Sequence, residues 1–140
     1  MSRIFWDTNL FIYLFEDYGA FSESVAQLRE RMVARGDQLY TSTLTLGEIL
    51  AKPMRLGETR LAQTYKEALV RAATLLTFTA EAAVHYASIR ADRSIKAPDA
   101  VQLSCAAQSG MDLFITNDSR LSGKIIPGIH FVVPLKAAYL

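Results

Sequence analysis

Four carboxylates fall where a chain places its reactive groups. Asp7 closes the short apolar run Arg3-Ile4-Phe5-Trp6 and opens Asp7-Thr8-Asn9, while Glu48 ends Thr45-Leu46-Gly47-Glu48. Asp99 follows Pro98, and Asp118 sits in Thr116-Asn117-Asp118-Ser119 behind Leu113-Phe114-Ile115. Each has a local explanation. Asp7 suits an Asx-turn or a helix cap, and Thr45 to Glu48 matches a capping box. Asp99 suits the first turn of a helix, where the dipole favours a negative charge by about 0.3–1 kcal/mol, and Asp118 suits a turn after a strand. If the strands leading to Asp7 and Asp118 are parallel neighbours, both carboxylates emerge on one rim, together with the helix starts that carry Glu48 and Asp99. Charges gathered there repel by about 4 kcal/mol per pair at 4 Å and an effective dielectric of 20. Divalent cations would offset that repulsion, and oxygen donors without a thiol or imidazole cluster select Mg²⁺ or Mn²⁺ over zinc.

Other chemistries find less support. His85 and His130 are the only histidines and lie far apart, so ordinary structural roles outweigh a general base. Cys105, the only cysteine, sits in an Ala-rich stretch and reads as a small core residue. Ser122-Gly123-Lys124 lacks the upstream glycine of a phosphate loop, and no serine stands in a nucleophile elbow.

The elements that must position these groups follow from periodicity. Arg3–Trp6, Gln38–Thr41, Leu75–Phe78, Leu113–Thr116 and His130–Val133 read as short apolar strands. Helical spacing covers Ser22 or Ser24 to Arg35 with Gly36 as its cap, Thr45 to Met54 limited by Pro53, Arg60 to Ala73, Ala80 to Arg93, and Pro98 to Ser109 with Gly110 as its stop. The run Leu10-Phe11-Ile12-Tyr13-Leu14-Phe15, with Tyr18 and Phe21 behind it, is too apolar for a solvated helix, so it faces the core or a partner. Strands alternating with helices indicate an α/β fold with a mainly parallel sheet of about five strands.

The 140 residues suit one domain spanning 1–140. Half of them are hydrophobic, which excludes intrinsic disorder. With 15 Lys and Arg against 14 Asp and Glu, the chain is less basic than is usual for a protein that holds nucleic acid by bulk electrostatics alone. A local patch, backbone amides or bound cations must do it. One cysteine allows no internal disulfide and points to a reducing compartment. No apolar run approaches the roughly 20 residues of a membrane span, so the expected address is the cytoplasm.

Asp7-Thr8-Asn9 after the first strand, Thr45-Leu46-Gly47-Glu48, Pro98-Asp99-Ala100 opening a helix and Thr116-Asn117-Asp118 after a late strand together resemble the PIN domain. More narrowly, the chain looks like the toxin ribonucleases of VapBC-type toxin–antitoxin pairs. One departure is Ser119-Arg120-Leu121, where many members carry an aromatic residue and where Leu121 can pack in its place. The resemblance implies a three-layer α/β/α fold. It implies that Asp7, Glu48, Asp99 and Asp118 hold one or two Mg²⁺ or Mn²⁺ ions for RNA phosphodiester hydrolysis, with Asp7 and Asp99 at the tighter position. Asn9, Asn117 and, more weakly, Thr116 would orient those carboxylates or hold water, and Lys96, Arg120 and Lys124 are candidates for RNA-backbone contacts. It also implies a cognate antitoxin and a homodimer. An amphipathic antitoxin helix is one use for the aromatic run. Two alternatives compete. An Asp-nucleophile phosphatase needs a second Asp two positions after the first, but position 9 is Asn. A silent PIN-like binding module would have lost an acidic position, and all four are present.

Overall fold

The computed structural model describes residues 1–138. The strands are β1 (Arg3–Trp6), β2 (Gln38–Ser42), β3 (Thr74–Leu76), β4 (Met111–Thr116) and β5 (Ile129–Pro134). The helices are α1 (Thr8–Phe15), α2 (Ala20–Arg35), α3 (Thr43–Arg55), α4 (Thr59–Ala72), α5 (Ala80–Ile89) and α6 (Ala97–Ser109), with a 3₁₀ turn at Leu135–Ala137. The five strands form one sheet in the order β3-β2-β1-β4-β5, and every pairing is parallel. The α/β expectation and the strand count therefore hold. Among the described residues no helix is long and apolar enough to cross a membrane.

A parallel sheet must be covered on both faces, so its strands carry apolar side chains in both directions. Phe5, Tyr40, Phe114 and Val132 pack toward α5 and α6, with Leu103 and Ala106 across from them. Ile4, Trp6, Leu39 and Ile115 pack the other way, against Val25, Leu28 and Met32 of α2, Ile49 of α3 and Leu69 of α4. Phe5 stacks on Phe114 across the β1–β4 pair with ring centroids 4.9 Å apart. Leu121, 1% exposed, joins the α6-side core and fills the expected packing role. Cys105 is buried there as well.

Gly36, at φ 73°, closes α2 with its N–H on the carbonyls of Met32 and Val33, and Gly110 closes α6 in the same way on Ala106 and Ala107. Gly128, before β5, has φ +97°, and a Cβ there would lie 2.5 Å from the Ala107 carbonyl oxygen. Only glycine lets this segment press against α6.

Several boundaries differ from expectation for identifiable reasons. β3 stops at Leu76, not Phe78, because it pairs only with β2, whose last residue Ser42 faces Leu76. α5 ends at Ile89, not Arg93. Asp92 there accepts from the backbone N–H and hydroxyl of Ser94, which turns the chain. Pro53 is tolerated inside the last turn of α3, which ends two residues later at Arg55. The aromatic run forms α1. Leu10 and Phe11 are fully buried, whereas Tyr13 stacks on Phe21 at 5.0 Å, and Phe21 and Tyr18 remain about half exposed.

Candidate active site

Asp7 directly follows β1 and is the N-cap of α1. Its N–H continues the ladder by donating to the Ile115 carbonyl at 3.0 Å, and its side chain turns back to the start of α1. Oδ1 accepts from the Thr8 N–H at 2.9 Å, and Oδ2 accepts from the Thr116 hydroxyl at 2.8 Å. Asp7 is therefore both a cap and a candidate ligand. Burial pushes its carboxyl up to about 6 against the downward pull of the two hydrogen bonds, and the charges of Asp99 and Glu48 add to the rise.

Asp99 lies in the first turn of α6, as expected, behind Pro98. Desolvation raises its carboxyl above the ordinary value, with Asp118 and Glu48 adding repulsion and Arg120 and Lys96 opposing it. Asp118 follows β4. Its N–H donates to Thr116 Oγ1 at 3.0 Å, so one hydroxyl ties Asp7 to the backbone of Asp118. Arg120 grips the Asp118 carboxylate as a fork, with Nε 3.0 Å from Oδ1 and Nη2 2.6 Å from Oδ2. That contact holds the Asp118 carboxyl below its usual range.

Glu48 differs from expectation. α3 starts at Thr43, so Thr45 is not its cap and Glu48 stands in the second turn. The Thr45 hydroxyl is buried and bonded to other side chains, and Glu48 accepts instead from the Thr8 hydroxyl at 2.6 Å. The capping-box reading fails because β2 feeds directly into α3 with Ser42 as the cap, three residues earlier than the pattern implied.

Asp7, Glu48, Asp99 and Asp118 all line one open cleft of about 230 Å³ at the carboxyl ends of β1 and β4, with Thr8, Asn9, Ile12, Pro98 and Gln102. Asn9 Oδ1 accepts from the Asn117 N–H at 3.3 Å, and the Asn117 amide donates to the Tyr13 hydroxyl at 3.0 Å, which pins the β4 exit to α1. Of the three cations, Lys96 precedes Asp99 at the rim and Arg120 lies on Asp118. Lys124 is drawn away, its Nζ 2.8 Å from Asp92 and 2.9 Å from Ser94. Thr8 and Gln102 are the site residues that sequence reasoning missed. Thr8 stood inside a quoted motif without a role, and a glutamine in mid-helix gives no local signal.

The donor set tests whether a cation fits. All four groups are oxygen donors, and burial, with some mutual repulsion added, already raises the carboxyls of Asp7 and Asp99. Their chemistry suits a hard divalent ion. Among the described residues, however, no three His, Cys, Asp or Glu side chains are close enough to ligate one ion as they stand. The cleft is acidic but open, and Arg120 occupies one of its carboxylates.

The profile of the family described as PIN domain matches residues 4–124. No curated protein sequence matches the chain. Among solved structures, VapBC2 from Rickettsia felis bound to a DNA fragment from its promoter is similar, with TM-score 0.75 and 17% identity over 94% of this chain and 98% of that one. DNA-bound VapBC from Salmonella typhimurium gives 0.72 and 20%, covering 96% and 99%. A toxin–antitoxin complex from Klebsiella pneumoniae gives 0.64 and 21%, covering 90% and 94%.

Proposed function

Because the chain belongs to the PIN domain family, we propose that it is a Mg²⁺- or Mn²⁺-dependent endoribonuclease, the toxin of a VapBC-type toxin–antitoxin pair. One observation carries the reading: four carboxylates from separate stretches of the chain line a single cleft at the sheet's carboxyl rim. Asp7 and Asp99 would provide the tighter cation position, Glu48 would join directly or through water, and Asp118 would complete a second position. Bound there, the cations would offset the carboxylate charges and the negative charge that develops on phosphorus during hydrolysis.

The chain's own groups do the positioning. Thr116 and the Thr8 N–H fix both oxygens of Asp7, and the Thr8 hydroxyl fixes Glu48. Asn9 and Asn117 lock the strand exit beside the cleft. Arg120 must turn off Asp118 before that carboxylate can serve, which leaves its guanidinium at the rim for a phosphate, with Lys96 as a second contact. Lys124, held by Asp92, is the weakest of the proposed contacts.

The antitoxin reading is supported by a groove of about 120 Å³ next to the cleft. Ile12, Phe15, Tyr18, Ile49 and Tyr65 line it, Glu16 and Lys52 edge it, and it shares Glu48 with the cleft. A pocket of this size suits one apolar side chain, such as an anchor presented by a partner's amphipathic helix. The same reading takes residues 1–140 as one unit acting in the cytoplasm, as a homodimer.

The test is cleavage of single-stranded RNA by purified protein with Mn²⁺, with excess chelator, and with an Asp99→Asn control. Cleavage by the wild type with Mn²⁺ alone is the expected result. Full activity in a folded Asp99→Asn protein would overturn the site, and full activity in chelator would overturn the metal dependence. Co-purification with the product of a neighbouring reading frame tests the antitoxin, and a non-toxic soluble monomer expressed alone counts against the toxin reading.

A further inference from the structure

Gln102 lies three residues after Asp99 on α6 and is 2% exposed, yet every polar atom of its side chain is engaged. Nε2 is 3.0 Å from Thr8 Oγ1 and 2.7 Å from Thr45 Oγ1, and Oε1 accepts from the Ser42 hydroxyl. The amide's orientation follows from counting protons. The Thr8 hydroxyl has one hydrogen, and its 2.6 Å contact with the Glu48 carboxylate requires that hydrogen. Thr8 must therefore accept from Gln102, so the NH₂ end faces the threonines and the carbonyl end faces Ser42. Thr45 likewise accepts from Gln102. It also accepts from the Thr41 hydroxyl at 2.8 Å, and that hydroxyl lies 2.9 Å from the Trp6 carbonyl oxygen as well. One buried amide thus donates to both threonine hydroxyls, and the chain through Thr8 ends on Glu48.

We propose that Gln102 is a positioning residue for Glu48, acting through the Thr8 hydroxyl: one of its N–H groups donates to that hydroxyl, which leaves the hydroxyl's own proton aimed at the Glu48 carboxylate. The inference rests on the reading of Glu48 as a cation-holding group. Without the amide, Thr8 is free to turn toward Thr45, 3.2 Å away, and Glu48 loses its only side-chain anchor among the described residues. Groups that orient a ligating carboxylate typically govern metal affinity by about 10–100-fold.

The experiment measures Mn²⁺ binding directly, by calorimetry or by the electron paramagnetic resonance of free Mn²⁺. It compares wild type, Gln102→Leu, Thr8→Val and the double variant, with thermal stability recorded for each. Each single variant is expected to weaken Mn²⁺ binding about tenfold, and the double variant to be no weaker than Thr8→Val alone. A merely structural role would lower stability and leave Mn²⁺ affinity unchanged. Wild-type affinity in Gln102→Leu, or losses that multiply in the double variant, would overturn the proposal. Should Gln102→Leu fail to fold, Ser42→Ala removes the donor that orients the amide, and undiminished Mn²⁺ binding there would overturn it equally. A wild-type protein that binds no Mn²⁺ would instead defeat the reading of the cleft itself.

Discussion

Asp7→Asn should stabilise the metal-free protein at neutral pH while abolishing its proposed activity. Asp7 is 7% exposed, and burial lifts its carboxyl from an ordinary 3.8 to about 6. A group whose pKa is raised on folding favours the folded state below its unfolded pKa, and that contribution is lost as pH rises through the folded one. Above pH 6 the folded protein must carry a charge it holds poorly. At 1.36 kcal/mol per pH unit, the displacement corresponds to about 3 kcal/mol. Asparagine keeps an acceptor for the Thr8 N–H but cannot take the Thr116 proton in the same way, a loss of about 1 kcal/mol that does not depend on pH. The variant should therefore gain about 2 kcal/mol at pH 7.5 and fall to parity or slightly below near pH 4. Urea unfolding in excess chelator at the two pH values measures both. With Mn²⁺ at 100 times its Kd the wild type alone should gain about 2.7 kcal/mol, which reverses the order. A stability difference identical at both pH values, or a variant weaker than wild type at pH 7.5 in chelator, would refute the reasoning.

Arg120→Ala should lower the Mn²⁺ concentration for half-saturation severalfold, because the guanidinium fork on Asp118 is a competing cation; unchanged titration would show that the fork opens without cost. Cys105, buried and with its thiol pushed up to about 11, should resist thiol reagents at pH 8 in the native protein and react at once in urea. Gly128→Ala should destabilise the fold by about 1 kcal/mol or more, since it meets both a positive φ and the Ala107 carbonyl at 2.5 Å; an unchanged urea midpoint would contradict that packing.

The fold was legible where burial and backbone chemistry agree locally. Strand runs such as Leu113–Thr116, and helix ends marked by Gly36 and Gly110, could be read because a two-sided apolar strand and a glycine cap at positive φ each leave a signature within a few residues. Boundaries set by distant partners could not. β3 stops where β2 does, and α3 begins where β2 releases it, which moved Glu48 out of the first turn. The carboxylates could be named because each sits at a strand end or near a helix start. Asn9, Thr116 and Asn117 could be named beside them as supports, but Thr8, Thr45 and Gln102 could not, because they meet across elements that sequence order keeps apart. The fork of Arg120 on Asp118, two positions away, is local enough to find, yet the sequence reading took Arg120 only as a candidate RNA-backbone contact.

The hydrogen bond from Thr116 to Asp7 spans 109 residues, and that from Gln102 to Thr8 spans 94. β1 can pair with β2 early in synthesis, yet its other neighbour, β4, is made only after α6. Contacts of such separation form late in folding. A partly synthesised chain holds Asp7 and Glu48 but lacks Asp99, Thr116 and Asp118, so it has no cleft to close around a cation. The order of the strands thus acts as a safeguard in time, keeping the site incomplete until nearly all of the chain has emerged.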